Sequence, residues 1–140
     1  MMLTSKTKLS DILNKETLKV YHASAQRVLK IDSSKGLHVG SLDQARDRAD
    51  FYVNDECLYS DYHIHELTIR LPGRDNIHRV IDKGYRANIA EENSFAQKSD
   101  ILVYRNVAEG KVKEQNLSLI ILNVDTIESC NYFSVFVRVN

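Results

Sequence analysis

Apolar and polar positions recur along the chain with periods that assign most of its elements. Residues 8–15 (KLSDILNK) read as a short helix, and residues 17–23 (TLKVYHA) as a strand in which β-branched and aromatic side chains alternate with polar ones. After a turn containing Asp32, Ser33, Ser34 and Gly36, a second strand covers residues 37–39. Ser41 followed three positions later by Gln44 is a capping-box pattern, and Leu42, Ala45, Ala49, Tyr52 and Val53 then recur at helical spacing. Residues 62–71 alternate with period two and stop at Pro72-Gly73, the mark of a strand ended by a turn. Helices are expected at 76–82 and 86–97, and strands at 101–104, 117–122 and 132–139. Six strands, with helices among the early ones and strands crowding the last third, predict a mixed α+β domain over residues 1–140 and not a doubly wound sheet.

Composition narrows the functional classes. A chain of 140 residues with 43% hydrophobic side chains buries a core without disulfide staples. Lys+Arg and Asp+Glu both number 19, so the chain lacks the basic excess that bulk binding to nucleic acid requires, although a local patch remains compatible with zero net charge. The two cysteines, Cys57 and Cys130, follow no metal-ligand spacing. The first residues carry no signal-like apolar stretch, and the longest aliphatic run, 119–122, is far below the ~20 residues of a membrane helix. The expectation is a cytoplasmic protein with no membrane partner and no metal.

Three segments carry candidate chemistry. Tyr21-His22-Ala23-Ser24 ends the first strand and sets an imidazole beside small residues that allow a ligand close to the backbone. Gly36-Leu37-His38-Val39-Gly40-Ser41 repeats the arrangement: an imidazole on a short strand between glycines, leading into a helix whose first N–H groups are free. The third segment, 100–110, runs from a hydrophobic strand ending in Tyr104 into a polar loop with Asn106 and Glu109, followed by Glu114. A carboxylate there suits a general base or an electrostatic stabiliser, and equally a solvated loop. His63-Ile64-His65-Glu66 puts two imidazoles on one strand face, but two ligands do not make a metal site, and a half-exposed face is the plainer reading. Ser24 and Ser41 lack the G-x-S-x-G setting of a hydrolase nucleophile.

In order, YHAS, GLHVGSLDQARDRA, SDILVYRNVAEG and SLIILNVDTI resemble the motifs of small ADP-ribosyltransferase-like domains of phage and bacteria, on the branch of diphtheria toxin and the poly-ADP-ribose polymerases. The likeness runs from about Tyr21 to Ile127. It implies an ADP-ribosyltransferase-like fold: two small, roughly perpendicular, antiparallel or mixed sheets with flanking helices around an NAD cleft. It also implies transfer of ADP-ribose from NAD to a macromolecular acceptor, a protein before a nucleic acid, with loss of nicotinamide. His22 matches the histidine that bonds the ribose hydroxyls. His38 falls where relatives stack a Tyr on nicotinamide, and Glu109 matches the acidic residue that stabilises the charge developing on ribose. Tyr21, Ala23, Ser24, Gly36, Leu37, Ser41, Tyr104 and Asn106 complete the implied NAD-binding set, with the backbone N–H groups around Ala23-Ser24, or Arg27, or Arg46, as holders of the pyrophosphate.

The chain departs from the pattern in three places. Ala23-Ser24 replaces Gly-Thr, Asp125 replaces a Gln, and Ser118 stands where polymerase-branch relatives carry their catalytic Glu, which leaves the acidic role to Glu109 or Glu114. Two functions of different class therefore follow. One is a mono-ADP-ribosyltransferase, in a phage setting a host-modifying or anti-defence enzyme. The other is a non-catalytic NAD-binding or protein-interaction module on the same fold that inhibits a partner by binding it directly.

Overall fold

The computed structural model describes residues 1–31, 36–79, 99–105 and 117–138. Its element order is α1 (Leu9–Leu13), β1 (Thr17–Ser24), β2 (Leu37–Val39), α2 (Leu42–Asp50), β3 (Asp61–Arg70), β4 (Ile77–Arg79), β5 (Ile101–Arg105), β6 (Leu117–Ile121) and β7 (Ile127–Val137). The strands form two sheets. A three-stranded antiparallel sheet has the order β1-β3-β7, and a four-stranded mixed sheet has the order β2-β6-β5-β4, with β4 and β5 parallel. Among the described residues the chain is thus mixed α+β with two sheets and few helices.

Alternation along β1 and β3 sorts their side chains. Leu18, Val20, Leu67 and Ile69 face the four-stranded sheet and join its Leu37, Val39, Ile101, Val103, Leu119 and Ile121 in the main core. On the other face of the three-stranded sheet, Tyr21, Ala23, Tyr62 and Ile64 pack against Ala45, Ala49 and Val53. Those small alanines let α2 lie close to the strands. A third, smaller cluster of Leu102, Tyr104 and Ile120 covers the outer face of the four-stranded sheet.

A two-bond bridge between Tyr21 and Gly40, with N···O distances of 2.8 and 2.9 Å, joins the sheets at a corner. The capping box fixes this corner. The Ser41 hydroxyl accepts from the Gln44 N–H at 3.2 Å, Gln44 Oε1 accepts from the Ser41 N–H at 2.8 Å, and Gln44 Nε2 reaches across to Ser118 Oγ at 2.9 Å. Gly36 enters β2 with φ of 74°, where a Cβ would stand 2.7 Å from Ile120 Cγ2, so no other residue fits there unstrained.

Three expectations change. The helix expected at 76–82 is a 3-10 turn over Arg74–Asn76 followed by the strand β4 at Ile77–Arg79, with its remaining positions outside the described residues. Pairing with β5 overrides the helical pattern, because Ile77 finds a partner in Ile101 and is buried. The helix expected through Tyr52 and Val53 closes at Asp50 and widens into a π turn over Phe51–Asp55. The last strand starts five residues early, at Ile127, because β3 is long enough to pair with it down to Ile69. The helix expected at 86–97 lies outside the described residues.

Candidate functional site

The inner face of β1 and β3 changes character along its length. Paired positions run Leu18 with Ile69, Val20 with Leu67, then His22 with His65 and Ser24 with His63. Directly opposed residues share a face, so the aliphatic surface that forms the core continues into a row of imidazoles and a hydroxyl. β7 adds Tyr132 opposite His65, and an irregularity in the register between Ile64 and His65 releases Phe133, whose ring packs edge-on against Tyr21 at 5.4 Å.

Hydrogen bonding fixes the tautomers of the two central histidines. His22 Nδ1 lies 2.6 Å from the carbonyl oxygen of His38. A carbonyl only accepts, so Nδ1 carries the proton and Nε2 presents a lone pair. Burial pushes the His22 pKa down to about 4, with Arg48 and the neighbouring His65 and His38 lowering it further and the His38 carbonyl opposing the change. His22 is therefore a neutral acceptor at physiological pH. His65 is buried, with Nε2 donating to the Arg27 carbonyl at 2.7 Å, which leaves Nδ1 a buried acceptor with no hydrogen-bond donor. Its edge meets the Tyr132 ring at 5.7 Å, and the Arg27 guanidinium lies over the same ring at 4.9 Å. His63 Nδ1 meets the Tyr132 hydroxyl at 2.9 Å. The site thus offers the His22 lone pair, the Ser24 hydroxyl and one guanidinium, with the His65 lone pair buried among them, a set suited to ligand hydroxyls and an anion.

The residues expected from the sequence divide between places. His22 and His38 meet, but through the His38 backbone. The His38 imidazole stands on the outer face of β2, exposed, with Nδ1 3.2 Å from the Tyr104 hydroxyl. Ser41 is buried and spent on the cap, and Ser118 is buried against Gln44. Tyr21 donates to Glu66 at 2.9 Å; burial and that carboxylate raise its pKa to about 12, so the phenol stays protonated. Arg46 is exposed on α2, while Arg48 approaches the Tyr52 ring at 5.4 Å. Asn106, Glu109 and Glu114 lie outside the described residues.

The sequence reading sets His65 and Glu66 aside as part of a half-exposed strand face and gives Tyr132 no role. His65 is buried rather than half-exposed. Its signal was the His63/His65 alternation combined with the pairing of β3 with β1, which only the fold supplies. Glu66 is held by Tyr21 and, at 3.7 Å, by Lys19, on the sheet face opposite His22, where it anchors Tyr21. Among the described residues no three His, Cys, Asp or Glu side chains converge as a metal site, and no helix is long and apolar enough to cross a membrane.

No family model matches the chain, and neither a curated protein nor a solved structure is significantly similar to it.

Proposed function

We propose that the chain is an ADP-ribosyltransferase-like domain that transfers ADP-ribose from NAD to a macromolecular acceptor, a protein in the first instance. The single observation that carries this reading is the neutral His22, its Nδ1 proton held by the His38 carbonyl, which leaves Nε2 with a lone pair able to accept from a sugar hydroxyl. It is supported by the Tyr21–Gly40 bridge, which brings the first two motif segments side by side. In the reaction the bond between nicotinamide nitrogen and ribose breaks, its electron pair leaves with nicotinamide, and the acceptor's nucleophile bonds to the anomeric carbon and loses its proton. The ribose passes through a cationic, oxocarbenium-like state, so a carboxylate aimed at it lowers the barrier electrostatically. Glu109 is assigned that role, with Glu114 as its alternate. His22 orients the donor, and His38, whose imidazole is exposed, is assigned the stacking role.

A second reading, a non-catalytic partner-binding module, draws on one feature. Among the described residues β7 is an edge strand, and it exposes Tyr132, Phe133, Val135 and Val137, an apolar row open to a partner. Labelled NAD incubated with the protein and a bacterial lysate separates the two. We expect label transfer to a macromolecule, lost in His22→Ala and in Glu109→Ala. Absence of transfer together with absence of NAD binding by calorimetry rejects the enzyme and leaves the module. Loss in Glu114→Ala alone reassigns the carboxylate.

A further inference from the structure

Away from the histidines, the N-terminal segment and one end of strands β4, β5 and β6 line an open cavity of about 630 Å3. Lys6, Lys8, Arg79 and Arg105 all line it, four cations from three separate stretches of a chain whose net charge is zero. Its apolar side is Leu9 with the core residues Val103 and Leu117. None of the four cations is paired with a carboxylate among the described residues, and no acidic side chain among those residues lines the cavity.

The backbone brings the four cations to one place. The parallel pairing of β4 with β5 puts Arg79 opposite Val103, and Arg105 follows two residues on, so both guanidinium groups leave the same face at the C-terminal ends of neighbouring strands. The lysines project from an anchored segment. Leu3 is buried and its N–H donates to the Lys19 carbonyl at 2.9 Å, while the Thr4 N–H donates to Thr7 Oγ1 at 2.9 Å and closes the turn that carries Lys6. Four like charges around one concavity repel one another until an anion enters, and planar guanidinium groups match phosphate oxygens in pairs. The volume is that of a small-molecule site, and the apolar wall suits an organic body beside the anion.

We propose that this cavity binds a small phosphomonoester, its phosphate between Arg79, Arg105 and the two lysines and its apolar body against Leu9, Val103 and Leu117. None of the residues of the His22 cluster lines it, so the assignment stands apart from the donor chemistry proposed above.

Calorimetry with phenyl phosphate as the probe tests it, beside inorganic phosphate and phenol. We expect phenyl phosphate to bind, inorganic phosphate to bind more weakly, phenol not to bind, and affinity to fall as salt rises, since the charges are open to water. Arg79→Gln with Arg105→Gln weakens phenyl phosphate at least about tenfold, as the loss of two charge-assisted contacts requires, and His22→Ala leaves it unchanged. Lys6→Ala with Lys8→Ala, both on the surface, weakens it in the same direction and serves as the reading if the arginine variant does not fold. No binding of phenyl phosphate, binding indifferent to both variants, or binding lost in His22→Ala overturns the proposal.

Discussion

The two ends of one sheet face make an instructive contrast. At one end Leu18, Val20, Leu67 and Ile69 are sealed beneath the four-stranded sheet, each with essentially no exposed surface. At the other end the same two strands, in the same register, present His22, Ser24, His63 and His65. Backbone geometry is common to both. What differs is the side chain that meets each partner position, and the physics differs with it. Aliphatic pairs gain from exclusion of water, whereas imidazoles must find a partner for every buried nitrogen. The fold meets that demand for three of the four nitrogens of His22 and His65 only if the His22 Nε2 lone pair reaches solvent or ligand, and it leaves His65 Nδ1 unanswered. Stability is concentrated at one end and unused bonding capacity at the other.

The largest effect is expected at the aliphatic end. Leu67 is fully buried opposite Val20, and Leu67→Ala removes its methyl groups and leaves a cavity that the rigid strand pair cannot close. Urea unfolding followed by circular dichroism is expected to show a loss of about 2–5 kcal/mol. A loss under about 1 kcal/mol would mean that this end is no better sealed than the histidine end.

Next in size is a pH dependence written into His22. Its pKa falls from 6.5 to about 4 on folding, so between those values the unfolded chain binds a proton that the folded chain refuses. Stability is therefore full above about pH 6.5, falls as pH is lowered, and levels off with respect to this group below about pH 4. At about 1.4 kcal/mol per unit the loss amounts to at most about 3–4 kcal/mol. Unfolding free energies measured across this range for the wild type and for His22→Asn check it: the variant's curve is expected to be flatter by that amount, and parallel curves refute the assignment.

Much of this contrast is legible in the sequence, and the part that is not has a physical reason. The alternation of residues 17–23 and 62–71 announces β1 and β3, and Ser41 with Gln44 announces the start of α2, because strand period and cap chemistry are local properties. β4 is not legible: three residues gain strand structure from a neighbour some two dozen positions away, and nothing local marks it. The same holds at the site. His22 and His38 stand out by their flanking small residues, yet their meeting through a backbone carbonyl depends on the Tyr21–Gly40 bridge. His65 looks like an ordinary strand histidine until pairing places it opposite His22 and Tyr132. Glu109 and Glu114 lie beyond the described residues, so the acidic role rests on the motif.

The smallest effect sharpens the contrast most, because its sign differs between the two ends. At the aliphatic end any replacement of a buried side chain costs stability. At the histidine end, His65→Leu removes a buried acceptor that has no donor and substitutes an apolar group among Tyr132 and the neighbouring strands. It also frees the Arg27 carbonyl, but Arg27 lies on an exposed stretch after β1, where water replaces the lost donor. An unsatisfied buried polar group costs about 1–3 kcal/mol and an ordinary hydrogen bond contributes about 1, so the exchange is expected to raise stability by about 1 kcal/mol. Thermal and urea unfolding of His65→Leu measure it. A gain identifies Nδ1 as an acceptor kept at the expense of stability, as a binding site keeps one; a loss above about 1 kcal/mol would mean that Nδ1 is already satisfied by an ordered water, and that the histidine end is built for the fold as fully as the aliphatic end.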